Sequence, residues 1–168
     1  MKTKTVLKIV FIAATVFLLV FIFVMSAKPA IESSEISLSV GYRLCRLFRP
    51  GFDKLTEEEK QQCAAGINHF IRKSAHFAEF AATGALFYAD FLLFDIKKPL
   101  CVLFGSLSGV LYSVSDEIHQ IFVPGRAGMV TDVLLDSAGV LTGCLFALLI
   151  SVIISNIKKA QNVKQQPA

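Results

Sequence analysis

The sequence predicts an all-α integral membrane protein, a bundle of four transmembrane helices with an extracytoplasmic amphipathic helical segment between the first and second spans. Three observations carry this expectation. Apolar residues make up 54% of the 168, with 15 Phe and a mean hydropathy of +0.61, far from the balance of a soluble domain of this length. Several runs reach the roughly 20 apolar residues that a bilayer core about 30 Å thick requires. Basic residues, which give a net charge of +4, gather where the runs end.

The first run, at about 7–26, follows Lys2, Lys4 and Lys8. Its exit, Met25-Ser26-Ala27-Lys28-Pro29, offers no small-x-small cleavage site, so it reads as an anchor rather than a removed signal peptide. Runs at about 74–94, 100–121 and 131–154 complete the four spans of a single domain over 1–168. With an even number of crossings, Lys2, Lys4 and Lys8, the tight link with Lys97 and Lys98, and Lys158, Lys159 and Lys164 share one side. The positive-inside rule makes that side, and both termini, cytoplasmic. Against this stand Lys28, Arg43, Arg46, Arg49, Lys54 and Lys60 in the connection at about 28–71.

In that connection Ile36, Val40, Leu44 and Leu47 recur at helical spacing opposite Arg43, Arg46 and Arg49, the pattern of a helix lying on the membrane surface with its arginines against phosphate head groups. Pro50-Gly51 ends it, and Thr56 with Glu59 forms a capping box that opens another helix leading toward the second span. Cys45 and Cys63 lie in the same connection and can pair in an oxidising compartment. Cys101 and Cys144 fall inside spans as small packing residues, and no cysteine spacing matches a zinc site. No interleaved basic and aromatic pattern points to nucleic acid; the expected partner is the bilayer.

At about 100° per residue, Arg72, His76, Glu79 and Thr83 form one stripe at the start of the second span. Gly105, Gly109, Tyr112, Asp116 and His119 form another along the third, and Asp132, Asp136, Gly139 and Gly143 share a face of the fourth. Two Gly-x-x-x-Gly pairs lie on these faces, where helix backbones can approach closely. The proposed topology brings all three polar ends to the outer side, with Arg126 above them in the turn at 122–128. Ionisable groups within a membrane are costly enough to mark function by default. A buried network that only holds the helices in register remains an alternative. Asp116 with His119, and His76 with Glu79, are each three residues apart, so Glu79, Asp116 and His119 are candidate ligands for a divalent metal.

The strings Arg72-Lys73-Ser74-Ala75-His76-Phe77-Ala78-Glu79-Phe80, Ser115-Asp116-Glu117-Ile118-His119-Gln120, Phe122-Val123-Pro124-Gly125-Arg126 and Asp132-Val133-Leu134-Leu135-Asp136-Ser137-Ala138-Gly139 closely resemble the VanZ-like family, in order and spacing, over most of the chain. The resemblance implies a multi-pass protein of a bacterial cytoplasmic membrane, whose namesake is associated with resistance to the lipoglycopeptide teicoplanin. It also implies the motif residues Lys73, His76, Glu79, Asp116, Glu117, His119, Gln120, Pro124, Gly125, Arg126 and Asp132. Many relatives carry Asn where this chain has Asp136, which weakens any mechanism needing a carboxylate there.

Two classes of function follow. In the first, the protein binds or modifies an anionic envelope lipid or a lipid-linked cell-wall precursor. Arg72, Lys73, Gln120 and Arg126 then hold the substrate, and His76, Glu79, Asp116, Glu117, His119 and Asp132 supply acid, base or ligand groups. In the second, it is a non-catalytic membrane factor whose polar cluster is structural. An ion-coupled carrier fits less well, because the inner halves of the spans offer no polar path.

Overall fold

The computed structural model describes residues 2–164. They form five helices, α1 (Lys2–Ser26), α2 (Ala30–Phe48), α3 (Glu57–Leu93), α4 (Lys98–Gln120) and α5 (Val130–Lys164), with a 3-10 turn at Phe52–Lys54 and no strand among the described residues. Burial follows the logic of a protein dissolved in hydrocarbon. α1, α4 and α5 turn Phe17, Phe21, Leu107, Leu111, Leu145 and Phe146 outward. The interior keeps a small cluster of Ile22, Phe80, Tyr88, Cys101, Val140 and Cys144 beside buried Thr83, Ser113, Asp116 and Asp136. In water such an outside would drive aggregation, whereas in lipid it costs nothing.

Three helical stretches are long and apolar enough to cross a membrane: Thr3–Ser26, Lys98–Gln120 and Val130–Asn162. The segment at 74–94, expected as a span of the same kind, is not among them, because His76, Glu79 and Asp90 interrupt its apolar run. Its place in the fold accounts for that composition. α3 packs against every other helix, so its polar residues meet protein rather than lipid.

α3 is one helix of 37 residues, about 55 Å long at 1.5 Å per residue. The helix expected after the capping box and the expected second span are therefore a single element. Its start is as anticipated: the Thr56 backbone N–H donates to Glu59 Oε2 at 2.8 Å, and the Glu59 N–H donates to Thr56 Oγ1 at 3.3 Å. Deeper in, α3 and α5 meet backbone to backbone. A Cβ on Gly143 would strike the Ala81 carbonyl oxygen, one on Gly84 the Val140 carbonyl, and one on Gly139 would lie 2.6 Å from the Phe77 carbonyl oxygen. Only hydrogen fits at these three positions.

The first half of α3 pairs antiparallel with α2. Asn68 Nδ2 donates to Ser34 Oγ at 2.9 Å, Gly41 abuts Ala64, and Cys45 is joined to Cys63 by a disulfide. The expected apolar stripe of α2 is not the face that packs on α3. Ser37, Gly41 and Cys45 are buried, while Ile36, Val40, Leu44 and Leu47 stay exposed beside them. Small residues win this interface because they let the two backbones approach.

At the far end Lys4 pairs with Asp95 at 2.6 Å, the Lys8 ammonium lies 4.2 Å from the Phe94 ring, and Lys98 Nζ donates to the Ser151 carbonyl and to Ser155 Oγ. The start of α1, the end of α3, the start of α4 and the second half of α5 thus share one end. The polar motifs collect at the other.

Candidate functional site

The site lies where α1, α4 and α5 end or begin and where α3 leaves its pairing with α2. The turn after α4 is fastened down first. The Ala30 N–H donates to the Pro124 carbonyl at 3.2 Å, and Gly125, at φ 74°, takes a backbone conformation that only glycine adopts freely. Arg126 is thereby held over the bundle end. Its Nε donates to the Lys28 carbonyl at 3.0 Å, Nη1 to Gln120 Oε1 at 3.2 Å and Nη2 to the Met25 carbonyl at 3.4 Å. Burial and then the nearby Arg72 charge push this guanidinium below its ordinary pKa, while Asp116, Glu117 and Glu79 oppose the shift. A guanidinium stays protonated under any such perturbation.

Beneath it runs a chain of bonds between helices. Gln120 Nε2 and Ser26 Oγ both donate to Asp116 Oδ2, each at 2.9 Å, which ties α4 to the end of α1. Glu117 Oε2 accepts from the Met129 N–H at 2.9 Å and so orients the start of α5. Ser113 Oγ donates to Asp136 Oδ2 at 3.3 Å, and Lys73 Nζ donates to Asp132 Oδ1 at 2.9 Å, joining α4 and α3 to α5. One oxygen each of Asp116 and Asp136 is buried without a partner.

Two cavities open around this network. The first, about 140 Å³, is polar and bounded by Arg72, Lys73, His76, Glu117, Gln120, Arg126, Asp132 and Asp136. The second, about 130 Å³, lies between α2, α3 and the end of α1, with Met25, Ile36, Val40, Ile71 and Ala75 as apolar walls and Glu79 inside. Arg72, His76 and Arg126 line both. Among the described residues, the side chains of Arg72, His76 and Glu79 form no hydrogen bond or salt bridge, and all three belong to the one stripe of α3.

Nine of the ten expected site residues therefore come together here: Arg72, Lys73, His76, Glu79, Asp116, Glu117, Gln120, Arg126 and Asp132. Eight of them line a cavity and Asp116 lies behind the wall, bonded to Gln120; the tenth, His119, lines neither. It points toward α1, stacked on Phe23 with ring centroids 4.5 Å apart, and its Nε2 is buried without a partner. Although three residues from Asp116 on one helix, it faces a neighbouring chain segment instead of the shared pocket. No group of three or more His, Cys, Asp or Glu side chains among the described residues is placed to hold a metal ion, so Glu79, Asp116 and His119 do not assemble as a ligand set. Sequence reasoning missed Ser26 and Ser113, the donors to two buried carboxylates. A lone serine in an apolar run carries no signal that separates such a role from simple packing.

Comparison with known proteins agrees with this motif arrangement. The family model described as VanZ/LLP1 matches residues 11–151, a stretch that includes all the polar motifs described above. Neither the curated proteins nor the solved structures give a match. The chain is a member of the VanZ/LLP1 family of membrane proteins.

Proposed function

We propose that the protein binds, and acts on, the phosphate-bearing head group of an envelope lipid or lipid-linked cell-wall precursor at the outer leaflet. The observation that carries this reading is the division of labour among the polar residues. Asp116, Gln120, Ser26, Ser113 and Asp136 are bonded between helices, whereas Arg72, His76 and Glu79 face cavities with no partner in the protein. Unpaired ionisable groups in such a setting are retained against a solvation cost that a ligand would offset. Arg72 and Arg126 suit phosphate oxygens, and His76 with Glu79 suit proton transfer beside it. Lys73 and Asp132 fix the geometry of α3 against α5.

In this reading the second half of α3 is a fourth crossing, enclosed by α1, α4 and α5. The α2–α3 hairpin and the cavities lie outside, and the lysine-rich end lies in the cytoplasm. Support comes from the Cys45–Cys63 disulfide, a bond of oxidising compartments, and from the gathering of Lys4, Lys8 and Lys98 at the opposite end.

The test is binding of glycerophosphoethanolamine to the detergent-purified protein, read as a rise in melting temperature. The proposal expects a rise in wild type that disappears in Arg72→Gln and His76→Gln while both variants remain folded. A second reading, a purely structural cluster, is favoured by the bonds to Asp116 and Asp136; it expects Arg72→Gln to respond as wild type does. The association of the family's namesake with teicoplanin extends the proposal to a cellular readout. Expression in a susceptible host should raise tolerance of teicoplanin, and Arg72→Gln should not.

A further inference from the structure

The two cavities differ in character and meet at the same cations. On the polar side, carboxylates still have capacity to accept: Asp136 is 1% exposed, lines the chamber and keeps Oδ1 without a partner. A ligand seated there must bring hydrogen-bond donors. At the junction, Arg126 uses three of the five N–H donors of a guanidinium on Lys28, Gln120 and Met25, and Arg72 uses none. A phosphate between them meets one partly free fork and one wholly free one. On the other side the walls are apolar, and Ile36 and Val40, which are 39% and 40% exposed, open the slot sideways along α2. A free phosphate ion would meet the cations but leave those apolar walls unfilled.

We infer that the paired cavities take a glycerophospholipid threaded through both: the first carbons of a chain in the slot walled by Ile36, Val40 and Ile71, the phosphate between Arg72 and Arg126, and a small ammonium- or hydroxyl-bearing head against Asp136. This rests on the proposed binding of the phosphate of an envelope lipid and adds the order of the ligand's parts and the size of its head. A cavity of about 150 Å³ holds benzene, so the chamber of about 140 Å³ suits a head of about six non-hydrogen atoms or fewer, such as ethanolamine, and is far too small for a disaccharide. The slot takes a similar number of methylenes, and the rest of the chain remains in the bilayer.

The experiment uses the full chain in nanodiscs containing phosphatidylethanolamine with a diazirine near the glycerol end of its acyl chain. Cross-links are mapped by mass spectrometry. Labelling around Ile36, Val40 and Ile71 is expected to exceed that at the exposed Leu107 and Leu145 several-fold, and to fall to the level of those positions in Arg72→Gln and in Val40→Trp. A diacylglycerol carrying the same diazirine should show no such preference. Melting-temperature shifts with glycerophosphoethanolamine and with inorganic phosphate separate head-group binding from phosphate binding alone. A shift with glycerophosphoethanolamine that is lost in Arg72→Gln, without slot labelling, would overturn the threaded lipid and leave head-group binding standing. An equal shift with inorganic phosphate would overturn the head-group pocket. Indifference of every readout to Arg72→Gln would sink both readings. Should Val40→Trp not fold, the wild-type map and the diacylglycerol control decide on their own.

Discussion

Replacing Gly143 by Ala tests the α3–α5 seam most directly. The added Cβ would collide with the Ala81 carbonyl oxygen and come within 3.0 Å of the Ala85 nitrogen, and both obstacles are backbone. Relief requires the two helices to separate, because no side chain can rotate away. Overpacking costs about 1–3 kcal/mol, and a backbone obstacle belongs at the top of that range. The gain in helix propensity on replacing Gly by Ala returns about 1 kcal/mol, leaving a net loss of roughly 2 kcal/mol. For a chain of this size that is a fall of about 4–8 °C in melting temperature. Gly66→Ala is the matched control, since a Cβ there meets nothing within 4 Å; the propensity term alone should raise the melting temperature by about 2–4 °C. The assay is thermal unfolding of both variants in one detergent. If Gly143→Ala is as stable as Gly66→Ala, the close backbone contact is wrong, and so is the placement of Asp132 and Asp136 opposite the α3 stripe.

Further outcomes follow from the same geometry. Asp116→Leu leaves Ser26 Oγ and Gln120 Nε2 without their acceptor and should cost about 2–4 kcal/mol; Asp116→Asn keeps an acceptor and should cost about 1 kcal/mol, both read by thermal unfolding. His119→Gln should preserve glycerophosphoethanolamine binding that His76→Gln abolishes, because only His76 lines the cavities. Replacing both Cys45 and Cys63 by Ser opens a crosslinked stretch with a sequence separation of 18 and should destabilise the hairpin by about 3 kcal/mol, visible as faster amide exchange in α2. The Thr56 backbone N–H, and next the Thr56 hydroxyl, hold the Glu59 carboxyl below its ordinary value of 4.5. A depressed carboxyl contributes stability that is full above the ordinary value and lost as pH falls through the lowered one. Amide protection in the first turn of α3 should therefore stay level down to about pH 4.5 and decline below it.

Much of this arrangement is legible in the residue pattern, for identifiable reasons. The stripe Arg72, His76, Glu79 stands out because charge in an apolar run is expensive and helical spacing puts it on one face. The capping box is local in sequence, so spacing alone points to it, whereas the shared connection of Cys45 and Cys63 shows only that they can pair. Two features escape such reading. Helical spacing places Asp116 and His119 on one broad face, but 100° per residue leaves them about 60° apart, enough for one to accept from Ser26 and Gln120 and the other to stack on Phe23. The packing of α2 through Ser37, Gly41 and Cys45 runs against its apolar periodicity, because small residues let the two backbones approach more closely than the large apolar ones would.

The central position of α3 sets an order for assembly. During synthesis its polar stripe leaves the ribosome before α4 and α5 exist to cover it, yet the link from Phe94 to Lys97 is too short for α4 to travel separately. α4, long and apolar enough to cross a membrane, therefore reaches it with α3 tethered beside it. The stripe lacks its partner Asp132 and the helix that covers it until α5 packs against α3. Chains truncated before Val130 should be held at the insertion machinery or degraded, which makes the last helix the checkpoint for the whole fold.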